Sequence, residues 1–303
     1  MFTTSTLEDA LRGPVAALTA FDPSLVKERL KESGAVLVRA RVGQEEFEAL
    51  SDALMTPVVH HSTSTTIERD AVSADATTST VNKGMDYIPL HREASYAPGC
   101  PDLLMLYCVR PPDADGETFM CDGVRLLESL PADVRDFVSN ATLKWSWQVA
   151  PERWRAFLGV QTREEATARL KLLSARFAPW EALEAEFDGD TLNGVYQTLC
   201  AVPTRWGGLR AFCNSLLIYH YRETSAYYPK TLYTPSLGDG SPFPADVLAQ
   251  IAGYAEAQTR DVQWEAGDVL LIDNSRYMHG RRAFTDPHRR ILFRMGHVRR
   301  DAI

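Results

Sequence analysis

The sequence lacks three features that mark large classes of proteins: paired cysteines, long apolar runs and an excess of basic residues. Its five cysteines are scattered and none are spaced as Cys-x-x-Cys, which favours reduced thiols over a disulfide framework. No apolar run approaches membrane-spanning length, and the first residues do not resemble a signal peptide. With a net charge of −8, neither nucleic acid nor a membrane is an expected partner. These absences predict a cytoplasmic protein.

The pattern of apolar residues predicts a strand-rich core with helices around it. Residues 1–56 are largely helical in pattern, with Asp22 and Gly34 as candidate caps of one helix. The Ser- and Thr-rich segment 57–90 has no helical period, and it predicts either an exposed loop or a lid. Without repeats or a clear linker, we predict one domain over residues 1–303, of mixed β class, with a jelly-roll core and flanking and inserted α-helices.

The triplet His91-Arg92-Glu93 is the first candidate for chemistry. Residues two apart on a strand project from the same face, so this imidazole and this carboxylate can converge on one metal ion. Two histidines and one carboxylate with open positions form the ligand set of non-haem Fe(II) oxygenases. The triplet alone is a weak signal, because seven histidines and forty acidic residues will form such a pair by chance. Its sequence neighbourhood therefore decides between a metal site and a surface pair.

That neighbourhood resembles the taurine dioxygenase/clavaminate synthase-like family of Fe(II)/2-oxoglutarate-dependent oxygenases. Residues 89–131, which contain PLHREASYAPG and GETFMCDG, are similar to the family's first metal motif and the strand after it. WEAGDVLLIDNSRYMHGRRAF (264–284) is similar to the segment with the distal histidine, and RRILFRM (289–295) to the closing arginine strand. The segment 33–40 is similar to the family's first strand. The resemblance implies a double-stranded β-helix, which is the jelly-roll fold.

The resemblance also implies three metal ligands. His91 and Glu93 match the first two ligands, and His279 matches the third. Many members have Asp at the second position, whereas Glu occurs in the clavaminate synthase-like branch. Related halogenases have Gly or Ala there, so Glu93 argues against halogenation.

Three further residues match positions that contact 2-oxoglutarate in the family. Thr118 lies 27 positions after His91, and Arg290 lies 11 positions after His279. A planar guanidinium can bind the distal carboxylate through two parallel hydrogen bonds, which fits Arg290. Arg294 would share the strand face of Arg290 and reach the iron-side carboxylate or an acidic substrate. A solvated edge strand is the alternative interpretation of these arginines.

Candidates for substrate contact are less specific. Asn82 precedes the first metal strand, and Asn214 lies near a strand that lines the pocket in the family. Asn274 is interpreted as a residue that caps the turn before His279. The adjacent pair His60-His61 is not expected to chelate one metal, because neighbouring side chains diverge on a strand.

The resemblance implies a dioxygenase that uses Fe(II), 2-oxoglutarate and O2 and releases succinate and CO2. The predicted reaction is hydroxylation of a C–H bond in a small polar substrate, an amino acid or a derivative in natural product biosynthesis. Desaturation, epoxidation and cyclisation stay open, as does a substrate tethered to a carrier protein. A metal-free jelly-roll binding module is a remote alternative. The sequence leaves the substrate and the oligomeric state undetermined.

Overall fold

Two β-sheets that face each other form the centre of the fold, which a computed structural model describes for residues 16–19, 21–59, 69–221 and 233–299. The larger sheet has the strand order β1-β2-β15-β6-β17-β3, and β4 also pairs with β17. The smaller sheet has the order β14-β7-β16-β5 and is antiparallel throughout. A separate four-stranded sheet, β13-β8-β10-β9, is inserted between β7 and β14 in the chain. The predicted jelly-roll core with flanking and inserted helices is confirmed.

The strands are β1 Ala16–Leu18, β2 Ala35–Val38, β3 Met55–Val58, β4 Ser79–Thr80, β5 Ile88–His91, β6 Leu103–Arg110, β7 Thr118–Asp122, β8 Thr142–Val149, β9 Ala182–Asp188, β10 Thr191–Leu199, β11 Val202–Pro203, β12 Arg210–Ala211, β13 Tyr233–Leu237, β14 Arg260–Val262, β15 Val269–Asp273, β16 Tyr277–Arg281 and β17 Arg290–Val298. The helices are α1 Pro23–Ser33, α2 Gln44–Leu54, α3 Gly123–Ser129, α4 Ala132–Asn140, α5 Pro151–Leu158, α6 Arg163–Ser174, α7 Leu216–His220 and α8 Ala245–Gln258.

Alternation along the strands of the larger sheet explains their nearly continuous apolar sequence. On β17, Ile291, Phe293 and Met295 point into the core between the two sheets. Leu292 points outward, into a second core beneath α1 and α2. Because both faces of this sheet are covered, both sets of alternating residues are apolar. The direction of each β17 side chain decides which residues can reach the space between the sheets.

A third core lies on the other side of the smaller sheet. Phe119 of β7 and Met278 of β16 pack there against the inserted sheet and the helices around it. Trp145 and Trp154 are among the largest fully buried side chains in this layer. The smaller sheet is therefore enclosed on both faces, and its inner face is shielded from bulk water.

Several predicted elements match the structure because their signals are local. Asp22 caps α1 by accepting hydrogen bonds from the Ser24 and Leu25 N–H groups, and Gly34 ends the helix with a φ of 76°. The strand expected near Asn214 ends at Ala211, and Leu216–His220 is helical. Within the part of the chain that is described, no helix is long and apolar enough to cross a membrane.

We expect Gly280→Ala to destabilise the protein by about 1–3 kcal/mol, the usual cost of overpacking a core. A Cβ at this position would lie 2.5 Å from the Ile88 carbonyl oxygen and would also overlap the Phe119 ring. Urea unfolding measures the change. The matched control is Gly253→Ala in α8, where no atom lies within 4 Å and a gain of about 0.5–1 kcal/mol is expected. A Gly280→Ala protein that unfolds at the wild-type urea concentration would contradict the close approach of these strands.

Candidate metal centre

Two neighbouring strands of the smaller sheet bring the histidines of the predicted metal site together. His91 ends β5, and its Cα lies in register with that of His279 on β16. The imidazole centroids are 4.3 Å apart. Glu93 lies two residues beyond His91, and its Oε2 is 4.0 Å from His279 Nε2. One ligand atom from each of the three residues lies within 4.8 Å of the others.

Burial keeps both imidazoles of this site neutral. His91, Glu93 and His279 are all almost completely enclosed. Burial is the main cause that lowers the pKa of His91. It is also the main cause that lowers the pKa of His279, to about 3. Neutral imidazole is the form that donates a lone pair to a metal ion.

The tautomer of His91 is fixed by a backbone contact. Its Nδ1 lies 2.9 Å from the Pro89 carbonyl oxygen. A carbonyl oxygen only accepts, so Nδ1 carries the hydrogen and Nε2 is left unprotonated. His279 Nδ1 is buried and has no hydrogen-bond partner in the structure. The two imidazoles and the carboxylate therefore fit a divalent metal ion of the Fe(II) type.

The carboxylate of Glu93 is held by a residue from the segment predicted to be a loop or lid. Arg69 Nη2 lies 3.3 Å from Glu93 Oε2, and both side chains are almost fully buried. The same guanidinium donates to Asn82 Oδ1 at 2.5 Å and stacks 4.3 Å above the Phe293 ring. Its Nη1 is buried and has no hydrogen-bond partner among the described residues. Segment 69–82 thus contributes directly to the site, whereas His60 and His61 lie outside the described residues.

The backbone of Glu93 is held by Asn274, which lies between β15 and β16. Its Oδ1 accepts from the Glu93 N–H at 3.0 Å, and its Nδ2 donates to the Glu93 carbonyl at 3.0 Å. Nδ2 also donates to the Pro101 carbonyl at 2.8 Å. The amide is completely buried. Asn274 was expected to cap its own turn, but it ties one metal ligand to the strand that carries another.

A small cavity of about 40 Å³ adjoins the two histidines and receives three arginine side chains. Its lining residues are Arg69, Val81, Asn82, Ile88, His91, Leu106, Thr118, His279, Gly280, Arg281, Arg289 and Phe293. We call it the deep cavity. The Thr118 hydroxyl accepts a hydrogen bond from Trp264 Nε1 at 3.2 Å at its wall. Asn82 is also placed at the wall, but its amide oxygen already binds Arg69.

The arginine that reaches the deep cavity near the start of β17 is not the one that the sequence predicted. Arg289 lines the deep cavity, whereas Arg290 is exposed and lies outside it. Burial and nearby Arg281 lower the pKa of Arg289 to about 10. Arg289 Nε donates to the Gly116 carbonyl at 2.8 Å.

Arg294 is also not in the deep cavity. It is buried on the outer face of β17, where it donates to the Glu48 carbonyl and pairs with Asp52 at 3.0 Å. The reason for both corrections is strand alternation, since the odd-numbered residues of β17 face inward. The predicted contacts of Arg290 and Arg294 with the cosubstrate therefore do not fit this arrangement.

Asn214 has a different position from the one predicted. Its Nδ2 donates to the Cys200 carbonyl and its Oδ1 accepts from the Leu216 N–H, both at 2.9 Å. Both ends of the amide are thus used by the backbone, one of them at the start of α7, and the side chain lies outside the deep cavity. The expected pocket strand at this point is replaced by a helix.

Sequence reasoning missed two residues of the site, Arg69 and Arg289. Arg69 stands in a segment without periodicity, so nothing in the sequence indicates that it reaches Glu93. Arg289 adjoins Arg290, and only the strand register distinguishes them. The two adjacent arginines after His279 indicate that one of them reaches the site, but not which one.

Comparison with known proteins places these features in a family. The sequence model described as "Taurine catabolism dioxygenase TauD, TfdA family" matches residues 7–295. A clavaminate synthase-like protein of Arabidopsis thaliana is 47% identical over 57 residues, which are 19% of this chain and 17% of that protein. A 3-((Z)-2-isocyanoethenyl)-1H-indole synthase of Fischerella ambigua is 23% identical over 212 residues, 69% of this chain and 62% of that enzyme. The matches thus span less than two thirds of either relative.

Solved structures agree on the fold. The crystal structure of a taurine dioxygenase from Burkholderia xenovorans superposes with a TM-score of 0.59 at 18% identity. The superposition covers 95% of this chain and 87% of that one. At this identity the likeness concerns the fold.

We expect Asn274→Ala to weaken metal binding by about 10–100-fold, the usual effect of removing a residue that orients a metal ligand. The reason is that both backbone groups of Glu93 lose their hydrogen bond to this amide, and the Glu93 carbonyl keeps only the one from the Cys100 thiol. Absorption titration with Co(II), followed by competition with a chelator, measures affinity without turnover.

The matched control for this measurement is Asn193→Ala, in the inserted sheet, which should bind Co(II) like the wild type. Asn274→Asp is a second variant, because a carboxylate keeps the acceptor for the Glu93 N–H and loses the donor for the two carbonyls. Wild-type Co(II) affinity in a folded Asn274→Ala protein would show that Asn274 does not position Glu93.

Proposed function

The chain belongs to the TauD/TfdA family of Fe(II)- and 2-oxoglutarate-dependent dioxygenases, and on this premise we propose that it hydroxylates a small amino-acid-derived substrate. The substrate would combine an apolar or aromatic body with a polar end. The observation that carries this proposal is a second cavity, of mostly apolar lining, beside the metal ligands. Iron and 2-oxoglutarate, when bound, supply the oxidising power that breaks a C–H bond, and the remaining tasks fall to the protein.

The metal would be held by His91, Glu93 and His279. Their enclosure excludes bulk water, which strengthens every charge interaction within the site. Arg69 binds one oxygen of the Glu93 carboxylate and thereby limits its rotation. Asn274 fixes the backbone of the same residue. The protein thus orients the carboxylate ligand from two sides.

The deep cavity is the proposed site of 2-oxoglutarate. It adjoins both histidines, and Arg289 and Thr118 lie at its wall. A dianion compensates buried positive charge, and burial together with the neighbouring charge of Arg281 lowers the pKa of Arg289. We therefore assign to Arg289 the carboxylate contact that the sequence comparison assigned to Arg290.

The second cavity, of about 370 Å³, is the proposed substrate site, and we call it the substrate cavity. Its lining residues are Val58, Val59, Ala94, Tyr96, Ala97, Pro98, Gly99, Pro101, Phe157, Leu158, Arg169, Leu173, Tyr233, Met295 and His297. Along β17, Phe293 faces the deep cavity, and Met295 faces the substrate cavity. Ala94 directly follows the ligand Glu93. The two cavities thus lie at successive inward positions of one strand, about 7 Å apart along the chain.

The chemistry of the substrate cavity favours an aromatic or apolar substrate body. Tyr96 and Tyr233 pack against each other with centroids 3.9 Å apart. Phe157 and Arg169 are exposed at the wall, and Arg169 supplies a positive charge for a substrate carboxylate. The cavity volume suits a free small molecule. A substrate tethered to a carrier protein is the alternative, and a comparison of free and tethered amino acids would decide between them.

Desaturation is the second candidate reaction. The relative from Fischerella ambigua is named for a product with an ethenyl group beside an indole. An enzyme of this family that acts on the side chain of an aromatic amino acid derivative can leave either a hydroxyl group or a double bond. Substrate identification is therefore coupled to product analysis.

Replacing Arg289 and Arg290 in turn tests the assignment of the cosubstrate site. We expect Arg289→Gln to raise the KM for 2-oxoglutarate by about 10–100-fold, because a charged hydrogen bond of about 1.5–3 kcal/mol is lost. Arg290→Gln is the matched control, and it should change this KM little because its side chain is exposed. Steady-state succinate formation measures both. The opposite ranking of the two variants would return the role to Arg290.

A panel of amino acids and their N-substituted derivatives tests the substrate class. With Fe(II), ascorbate and 2-oxoglutarate, we expect derivatives of aromatic amino acids to stimulate succinate formation most. Mass spectrometry distinguishes a gain of one oxygen atom from a loss of two hydrogen atoms. His279→Ala should abolish coupled turnover, and a variant that retained it would contradict the assigned centre. Stimulation only by small polar amino acids would contradict the apolar substrate class.

A further inference from the structure

Arg92 lies between the metal ligands His91 and Glu93, and its side chain is paired with none of the described residues. β5 ends at His91, and the side chain of Arg92 is not among those that line the deep cavity beside the two histidines. The guanidinium forms no hydrogen bond and no ion pair with any residue that the structure describes, and its Nε is completely enclosed. A guanidinium carries five N–H donors and a full charge, and enclosing even its Nε–H without an acceptor is unfavourable. An anion at this position would give the guanidinium an acceptor.

The guanidinium lines a cavity of about 460 Å³, which we call the Arg92 cavity. The lining residues are Arg92, Ser95, Gly99, Cys100, Asp102, Leu173, Arg176, Phe177, Trp180, Glu181, Tyr196, Thr198, Val202, Pro203, Arg205, Ser275 and His297. None of them lines the deep cavity, although Gly99, Leu173 and His297 also line the substrate cavity. The Arg92 cavity is thus separate from the proposed cosubstrate site.

The acidic groups near Arg92 are already engaged elsewhere. Glu181 accepts hydrogen bonds from the Tyr196 hydroxyl and from the Ala178 N–H. Asp102 pairs with Arg205 and accepts from the Val298 N–H at 2.9 Å.

Asp273 also contributes to the electrostatic field at Arg92. Its carboxylate, however, accepts two hydrogen bonds from Ser275, at 2.8 and 2.6 Å. Asp273 therefore acts on Arg92 only through space, and no carboxylate of the described residues forms a hydrogen bond or an ion pair with it.

The walls of the cavity indicate what kind of anion fits. Aromatic and apolar surface in the cavity comes from Phe177, Tyr196 and Leu173. Trp180 also lines the cavity, and its side chain is 38% exposed. Arg176 adds a second positive charge and is exposed. A planar carboxylate matches the fork of a guanidinium, and an attached aromatic or apolar body would contact these walls.

We propose that the Arg92 cavity is a second small-molecule site, which binds a carboxylate carrying an apolar or aromatic body. Its occupancy is coupled to the metal centre, because Arg92 belongs to the same short segment as two of the metal ligands. An uncompensated positive charge opposes the binding of a divalent cation nearby. An anion bound to Arg92 removes this opposition, so it strengthens metal binding, and by reciprocity the metal strengthens anion binding.

Benzoate is the test probe, with acetate and inorganic phosphate as comparisons. It is titrated by calorimetry under anaerobic conditions into the full chain loaded with Fe(II) and saturated with 2-oxoglutarate, so that the cosubstrate site is filled. We expect saturable benzoate binding that Arg92→Gln weakens at least tenfold. Arg169→Gln, which alters only the substrate cavity, is the matched control and should leave this affinity unchanged. Trp180→Ala should weaken benzoate binding and leave acetate binding unchanged.

Three results would overturn the proposal. If benzoate does not bind, or if it binds Arg92→Gln and the wild type equally well, then Arg92 holds no carboxylate. Loss of benzoate binding in Arg169→Gln would place the probe in the substrate cavity. Phosphate that binds more tightly than benzoate would contradict the carboxylate class.

Thermal unfolding provides a readout that does not depend on turnover. Without any anion, Arg92→Met should melt at the wild-type temperature or above it, because it removes an uncompensated charge. Benzoate should raise the melting temperature of the wild type and leave that of Arg92→Met unchanged. Should an Arg92 variant fail to fold, Trp180→Ala still tests the site, because this side chain is partly exposed. Equal benzoate affinity in Trp180→Ala and in the wild type would then contradict binding in the Arg92 cavity.

Discussion

The antiparallel register between β5 and β16 is the constraint on which the metal centre depends. It sets His279 beside His91, although 187 residues separate them in the chain. Asn274 extends this connection, because its amide joins the segment before β16 to the backbone of Glu93. Three ligands from two distant parts of the sequence are therefore held by one sheet and one buried side chain. Any shift of this register would separate the ligands.

Positive charge dominates the interior around this centre. Arg69, Arg281 and Arg289 converge on the deep cavity, and Glu93 is the acidic residue among the ligands. A divalent metal would add further positive charge, so the site is suited to anionic small molecules that compensate it. The family's cosubstrate is a dianion, which agrees with this balance. Arg92, which stands between two of the metal ligands in the chain, is a further positive charge, and it lines a separate cavity.

Much of the fold and the ligand set could be predicted because the signals are local or short-range. The caps of α1 are properties of single residues, and the triplet His91-Arg92-Glu93 is a short sequence pattern, although Glu93 lies just beyond the end of β5. The helix at Leu216–His220 was missed because its apolar run is equally typical of a buried strand. Asn214, expected at the substrate, instead uses its amide to begin that helix.

The sequence by itself determined the family, the metal ligands and the principal helices, since each depends on residue type and short spacing. Only the tertiary structure decided which arginine lines the deep cavity. Arg290 pairs with Arg110 and Ile291 with Cys108, so Val109 is an extra residue that shifts the register between β17 and β6. Because a strand alternates its faces, the inward residues of β17 exclude Arg290 and Arg294, and Arg289, directly before the strand, lines the deep cavity. Arg69 likewise reaches Glu93 only through the packing of its segment against Phe293, which no local pattern encodes.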